Sequence, residues 1–231
     1  MKTLGLIGGM SWESTVPCYR LINEGVKARL GGLHSARLVL YSVDFADIER
    51  LQRLGDWAAA GQLLAQAAHS LQEAGAQGLV LCTNTMHKVA EAIEAATPLP
   101  LLHIVDVTGQ TLVAQGVQRV GLLGTRFTME QDFYKARLAE RHGLQVIVPP
   151  EADREAVHRI IDEQLCLGQV RDASREVFRE VMANLVDQGA QAIVLGCTEI
   201  GMLVGPQDCN VSLLDTTVLH ANAAVEWLLA P

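Results

Sequence analysis

Short apolar runs recur along the chain at intervals that leave room for helices. They are TLGLIG (3–8), ARLVLYSV (36–43), QGLVLC (77–82), LLHIV (101–105), RVGLLG (119–124), LQVIVP (144–149), QAIVLG (191–196) and VSLL (211–214). Several are continuous in apolar residues rather than alternating, which is the pattern of strands covered on both faces. The stretches between them carry helical spacing. In residues 55–75, GDWAAAGQLLAQAAHSLQEAG, the residues Leu63, Leu64, Ala67 and Leu71 form one stripe and Gly75 supplies the stop. Residues 13–32, ESTVPCYRLINEGVKARLGG, end on Gly31-Gly32 in the same way. Strand and helix in alternation predict an α/β fold built on parallel sheets with right-handed crossovers.

The pattern repeats half a chain apart. TLGLIGG (3–9) aligns with RVGLLGT (119–125), and GAQGLVLCTNT (75–85) aligns with GAQAIVLGCTE (189–199). We therefore expect two pseudo-symmetric lobes, each a mainly parallel four-stranded sheet flanked by helices. Residues 1–98 with 211–231 would form the first and 99–210 the second. A ligand would lie in the cleft between them, outside the carboxyl ends of the strands. The ungapped alignment sets Thr83 opposite Cys197, Asn84 opposite Thr198 and Thr85 opposite Glu199. A single gap would instead pair Cys82-Thr83 with Cys197-Thr198. A slip of one residue turns a strand side chain to the other face, so Cys82 and Thr83 should not both reach a ligand. The ungapped register keeps every other match and favours Thr83, leaving Cys82 as a small buried apolar group.

Composition narrows the class of function. Apolar residues make up 49% and charged residues 19% of 231 positions, which is globular rather than disordered. The formal charge of −8, without a basic run, speaks against nucleic acid as a partner. No apolar run approaches the roughly 20 residues that span a bilayer, so no membrane partner is expected. The apolar opening MKTLGLIGGM reads as a first strand rather than a signal peptide, because the pattern returns at 119–125. Five cysteines, Cys18, Cys82, Cys166, Cys197 and Cys209, contain no C-x-x-C pair. They suggest a reduced, cytoplasmic protein with neither a disulfide framework nor a zinc site.

Candidate chemistry gathers at the ends of the repeated strands. Cys197 closes IVLGC at a strand-to-helix turn, where backbone N–H groups would lower its pKa. Read alone it is more simply an inert buried thiol, but the matching place in the first half carries the hydrogen-bonding triplet TNT. Asn84, Thr85, Thr198 and Glu199 suit helix caps, and the same geometry suits a bound carboxylate. GLIGGMS (5–11) lacks G-x-G-x-x-G spacing and fits a tight turn that lets a ligand approach the backbone. Thr125 and Thr128, in its counterpart LLGTRFT (122–128), line the ligand site or cap the next helix. The seven histidines show no metal spacing, and no G-x-S-x-G elbow is present. His87, just past TNT, is placed to support that turn.

Taken together, GLIGGMSWEST (5–15), LCTNTMH (81–87), LLGTRFTMEQDFY (122–134), VLGCTEI (194–200) and LLDTTVLHA (213–221) give a chain that resembles, over its whole length, the cofactor-independent aspartate/glutamate racemase family. Its bacterial L-aspartate/glutamate-specific or broad amino-acid racemases look most similar. The resemblance implies an isomerase that uses no pyridoxal phosphate or other cofactor and acts on a small acidic amino acid. Two opposed groups would take and return the Cα proton. By position these are Thr83 and Cys197, with Met10, Gln52, Asn84, Thr85, Thr125, Thr198 and Glu199 as substrate contacts. Gln52 is expected in the loop after the second strand. The chain departs from the family at Thr83, where relatives carry a cysteine directly before Asn-Thr. Either Thr83 relays a proton weakly or the turn rearranges to bring in Cys82. It departs also at Cys166, where some relatives carry a lysine. Arg50, Arg53, Lys88 and Arg126 are the available cations for a distal carboxylate. The resemblance implies that the last helix, 215–229, packs on the first lobe, and it raises a homodimer as the assembly, though no interface is diagnostic in the sequence. With one well-placed thiol, an arylmalonate-type decarboxylase, a maleate isomerase, a hydantoin racemase, or a non-catalytic amino-acid-binding protein would suit the same scaffold.

Overall fold

A computed structural model describes residues 1–231. The strands are β1 (Leu4–Gly8), β2 (Leu38–Ser42), β3 (Gly78–Leu81), β4 (Leu101–Leu102), β5 (Arg119–Gly124), β6 (Gln145–Ile147), β7 (Ala192–Gly196) and β8 (Ser212–Asp215). All pairings are parallel, in two separate sheets of order β2-β1-β3-β4 and β6-β5-β7-β8. The same strand order in both halves is the sequence repeat expressed as topology. The helices are α1 (Trp12–Leu30), α2 (Phe45–Leu54), α3 (Trp57–Glu73), α4 (Ala90–Ala96), α5 (Ile104–Ala114), α6 (Arg126–Glu130), α7 (Asp132–His142), α8 (Glu151–Glu163), α9 (Asp172–Asp187) and α10 (Thr216–Leu229).

The chain divides into two compact units, residues 1–103 with 217–231 and residues 104–216. Pairing explains where the divisions fall. β4 hydrogen-bonds to β3 and stays with the first sheet, while β8 hydrogen-bonds to β7 and stays with the second. Both divisions lie a few residues beyond those expected from the sequence. In the first unit the sheet has a core on each face. Ile7, Leu79 and Leu81 pack with Leu64, Ala67 and Leu71 of α3. Leu4, Leu6, Val80 and Cys82 pack with Cys18, Ile22 and Val26 of α1 and with Ala221, Ala224, Val225 and Leu228 of α10. The two sets have opposite parity along each strand, as a sheet buried on both sides requires. In the second unit Leu123, Ile193, Leu195 and Cys197 pack with Val157 and Ile161 of α8 and Phe178 and Met182 of α9.

Two elements depart from the sequence reading. LLHIV was expected as a strand over 101–105, but β4 has two residues and α5 begins at Ile104. A short run rich in Ile and Val does not distinguish the end of a strand from the start of a buried helix. The segment after β2 was expected as a loop holding Gln52, and it is α2. The Asp44 side chain accepts from the Ala46 N–H at its start, Ile48 and Leu51 are its buried stripe, and Gly55 closes it in the left-handed conformation.

Candidate active site

Both candidate turns begin where a central strand runs out at its carboxyl end. Sheet register fixes which residues correspond. In the first unit Leu4 pairs with Gly78 and Ile7 with Leu81; in the second Val120 pairs with Ala192 and Leu123 with Leu195. Since Leu4 and Val120 are equivalent in the repeat, Leu81 corresponds to Leu195, Cys82 to Gly196 and Thr83 to Cys197. The backbone thus gives the same register as the ungapped alignment. Cys82 continues the parity of Val80 into the α1/α10 core, where its Sγ lies 3.8 Å from that of Cys18. Contact with the Cys18 thiol and burial push the Cys82 thiol well up from its ordinary pKa, so it is neutral. Thr83 has left the strand, its N–H donating to the Leu81 carbonyl at 2.8 Å.

The second turn is built around a carboxylate. The Cys197 Sγ donates to Glu199 Oε2 at 2.8 Å, and the Thr198 hydroxyl donates to the same oxygen at 2.9 Å. Cys197 and Glu199 are both buried. Burial pushes the Cys197 thiol well above its ordinary pKa, the Glu199 charge adds to that, Cys166 adds less, and only the Glu199 backbone N–H opposes it. The lowering expected from N–H groups at the turn is present but outweighed. Resting Cys197 is therefore a thiol whose proton already rests against an acceptor. Glu199, expected among the substrate contacts, is engaged by Cys197 and Thr198.

Close backbone approach makes this turn possible. A Cβ on Gly196 would stand 2.8 Å from the Leu123 carbonyl oxygen, and one on Gly124 would stand 2.8 Å from the Gly196 carbonyl. The register pair Gly124–Gly196 has to lack side chains for β5 and β7 to deliver Cys197 here. Thr125 follows directly, and its hydroxyl caps α6 by accepting the Thr128 N–H at 3.3 Å. At the equivalent position in the first unit Gly9 takes φ +93° with Val43 O 2.3 Å from its would-be Cβ, and its N–H donates to the Thr15 hydroxyl at 2.9 Å.

The other expected residues fall in place by unit. Met10 is buried in the α2/α3 core, and Gln52 Nε2 lies 3.0 Å from Met86 Sδ, on the 3-10 turn after Asn84. Asn84 and Thr85 are buried beside Thr83. Of the candidate cations, Arg50 and Arg53 pair with Asp47 and Glu49 on the outer face of α2. Lys88 stands 4.2 Å from the Trp57 ring centroid, and burial lowers its pKa. Arg126 lies over Phe127. His87 supports the first turn directly. Its Nδ1 is 2.7 Å from the Thr83 carbonyl. A carbonyl only accepts, so Nδ1 carries the proton. The His103 ring packs against His87 at 4.5 Å and His220 lies 6.0 Å away.

These turns fall within the stretch that matches a family model described as Asp/Glu/hydantoin racemase, residues 7–224. The chain belongs to that family. A candidate Asp/Glu racemase from Yersinia pestis has a crystal structure that superposes with a TM-score of 0.93 at 60% identity, covering all of both chains. A broad-specificity amino-acid racemase of Bacillus subtilis is 21% identical over 98% of each chain. A glutamate racemase of Syntrophus aciditrophicus is 28% identical over 65% of this chain, and the match spans 56% of that enzyme's length. No helix of the family member described here is long and apolar enough to cross a membrane.

Proposed function

We propose that the protein is a cofactor-independent amino-acid racemase that interconverts L- and D-glutamate or aspartate. The observation that carries this is the equivalence of Thr83 and Cys197 in the two repeats, within a chain of the racemase family. Racemisation needs one group to remove the Cα proton and another to return it to the opposite face. The repeat supplies such a pair, one from each unit. Cys197 is the base. Its proton passes to Glu199, leaving a thiolate that attacks the Cα–H bond. The charge that develops on the substrate carboxylate is met by the hydroxyl and amide donors of Asn84, Thr85, Thr125 and Thr198. Met10 and Gln52 complete the substrate contacts, and Thr83 returns the second proton. A hydroxyl is a far weaker acid than a thiol, so proton return on the Thr83 face is slow and the enantiomer served by Cys197 exchanges its Cα proton faster than it inverts.

The single thiol favours one second reading, decarboxylation of a malonate-type acid, for which one proton donor suffices. We further propose a homodimer as the assembly and the cytoplasm as the setting. Five cysteines without a disulfide support a reducing compartment. Chiral chromatography of purified protein incubated with each enantiomer tests the reading. Cys197→Ala is expected to lose at least about 100-fold in both directions, and Thr83→Ala to lose most of the inversion. Full racemisation by Cys197→Ala would refute the assignment.

A further inference from the structure

The outer face of α1 is apolar where a solvated helix would be polar. Trp12, Val16 and Tyr19, spaced at i, i+4 and i+7, are 64%, 54% and 49% exposed. The neighbouring stripe of the helix, Ser14, Thr15, Cys18, Ile22 and Val26, is buried. Beside α1 lies β2, the end strand of its sheet, with Leu40 46% exposed. Leu40 Cδ1 and Thr15 Cγ2 both crowd the position of a Cβ on Gly8, so Leu40 sits on the α1 side of the sheet and extends the patch. Other exposed large apolar residues, such as Leu54 and Leu167, stand singly at element ends. Scattered residues of that kind are ordinary, and a contiguous patch at the edge of a parallel sheet is not.

We propose that this face is the two-fold interface of a homodimer, with α1 packed antiparallel against α1 of a second copy and Val16 at the axis. The inference rests on the homodimer reading above and is independent of the racemase chemistry. An isologous contact must suit itself, and this stripe does. About Val16, Trp12 of each copy meets Tyr19 and Arg20 of the other. That pairs an aromatic with an aromatic and a guanidinium with an indole face. Glu13 of each copy comes within reach of the opposing Arg20, giving charge complementarity across the axis. The area also agrees. The four exposed apolar side chains present roughly 400 Å² per copy, which at the usual apolar fraction of about 57% corresponds to about 700 Å² per partner, within the range of a standard interface of ~800 Å².

Sedimentation velocity on the full chain over the micromolar range tests the proposal. Wild type is expected to sediment as a dimer of the 25.0 kDa chain. Val16→Arg, which sets like charges across the axis, is expected to weaken the dimer at least about 100-fold, with an unchanged far-UV circular-dichroism spectrum because Val16 faces outward. Trp12→Ala is expected to weaken it in the same direction and serves if the arginine variant misfolds. Leu167→Arg, on the second unit, is expected to leave the dimer intact. A dimer that survives both α1 variants, or is broken by Leu167→Arg, would overturn the surface while leaving the homodimer standing. A monomeric wild type would overturn both.

Discussion

At the scale of single residues, the account turns on one thiol and one carboxylate. Cys197 and Glu199 share a buried hydrogen bond of 2.8 Å, and the carboxylate charge disfavours the thiolate beside it. Removing that charge must lower the thiol pKa, since a like charge raises it. In Glu199→Gln the pH midpoint of iodoacetamide labelling at Cys197 is therefore expected below that of the wild type. An unmoved or higher midpoint would show that the carboxylate does not govern the thiol. The same substitution removes the proton acceptor, so activity falls although the thiol has become more acidic. That Thr83 rather than Cys82 corresponds to Cys197 in the sheet register was legible in the sequence, because the ungapped repeat keeps every other match. The contact between Glu199 and Cys197 was not, since residues two apart meet only where the backbone leaves the strand. His87 was legible as a neighbour of TNT, but its donation to the Thr83 carbonyl depends on a 3-10 turn that periodicity does not reveal.

At the scale of elements, the repeated strands and their glycines were written in the chain, and the short or charged elements were not. β5 spans the predicted 119–124, whereas α2 was hidden by a charged sequence whose signals, Asp44, Ile48, Leu51 and Gly55, are small. α10 is tied to the first sheet by His220, whose Nε2–H donates to the Leu102 carbonyl at 2.6 Å. Complete burial lowers the His220 pKa from 6.5 to about 4, the carbonyl opposing only in part. The unfolded chain thus binds this proton more tightly than the folded one. Stability is full above the unfolded value and falls as pH drops from 6.5 towards 4, by roughly 3 kcal/mol when complete. Urea midpoints measured across that window are expected to decline. In His220→Gln, which keeps a donor for Leu102 and cannot titrate, the decline should be shallower. An equal decline in both proteins would assign the acid sensitivity to other groups.

At the scale of the whole molecule, a duplicated α/β unit supplies two equivalent turns, and the sequence has made them chemically unequal. One carries a thiol backed by a carboxylate, the other a threonine whose backbone carbonyl is held by an imidazole. The duplication was legible from matched GLIG/GLLG and GAQ segments, and so was the family. The apolar stripe on α1 was not, because an exposed Trp or Tyr has the same letter as a buried one and only the packing shows which face is covered. The inequality of the turns is the central claim, and loss of the Cα proton in D2O measures it most directly. Proton NMR would follow L- and D-glutamate and L- and D-aspartate, with chiral analysis of the same samples. The account predicts that one enantiomer of an acidic amino acid exchanges its Cα proton faster than the other, that inversion trails exchange, and that Cys197→Ala abolishes both. No exchange with any of the four, equal exchange of both enantiomers, or exchange that persists without Cys197 would contradict it.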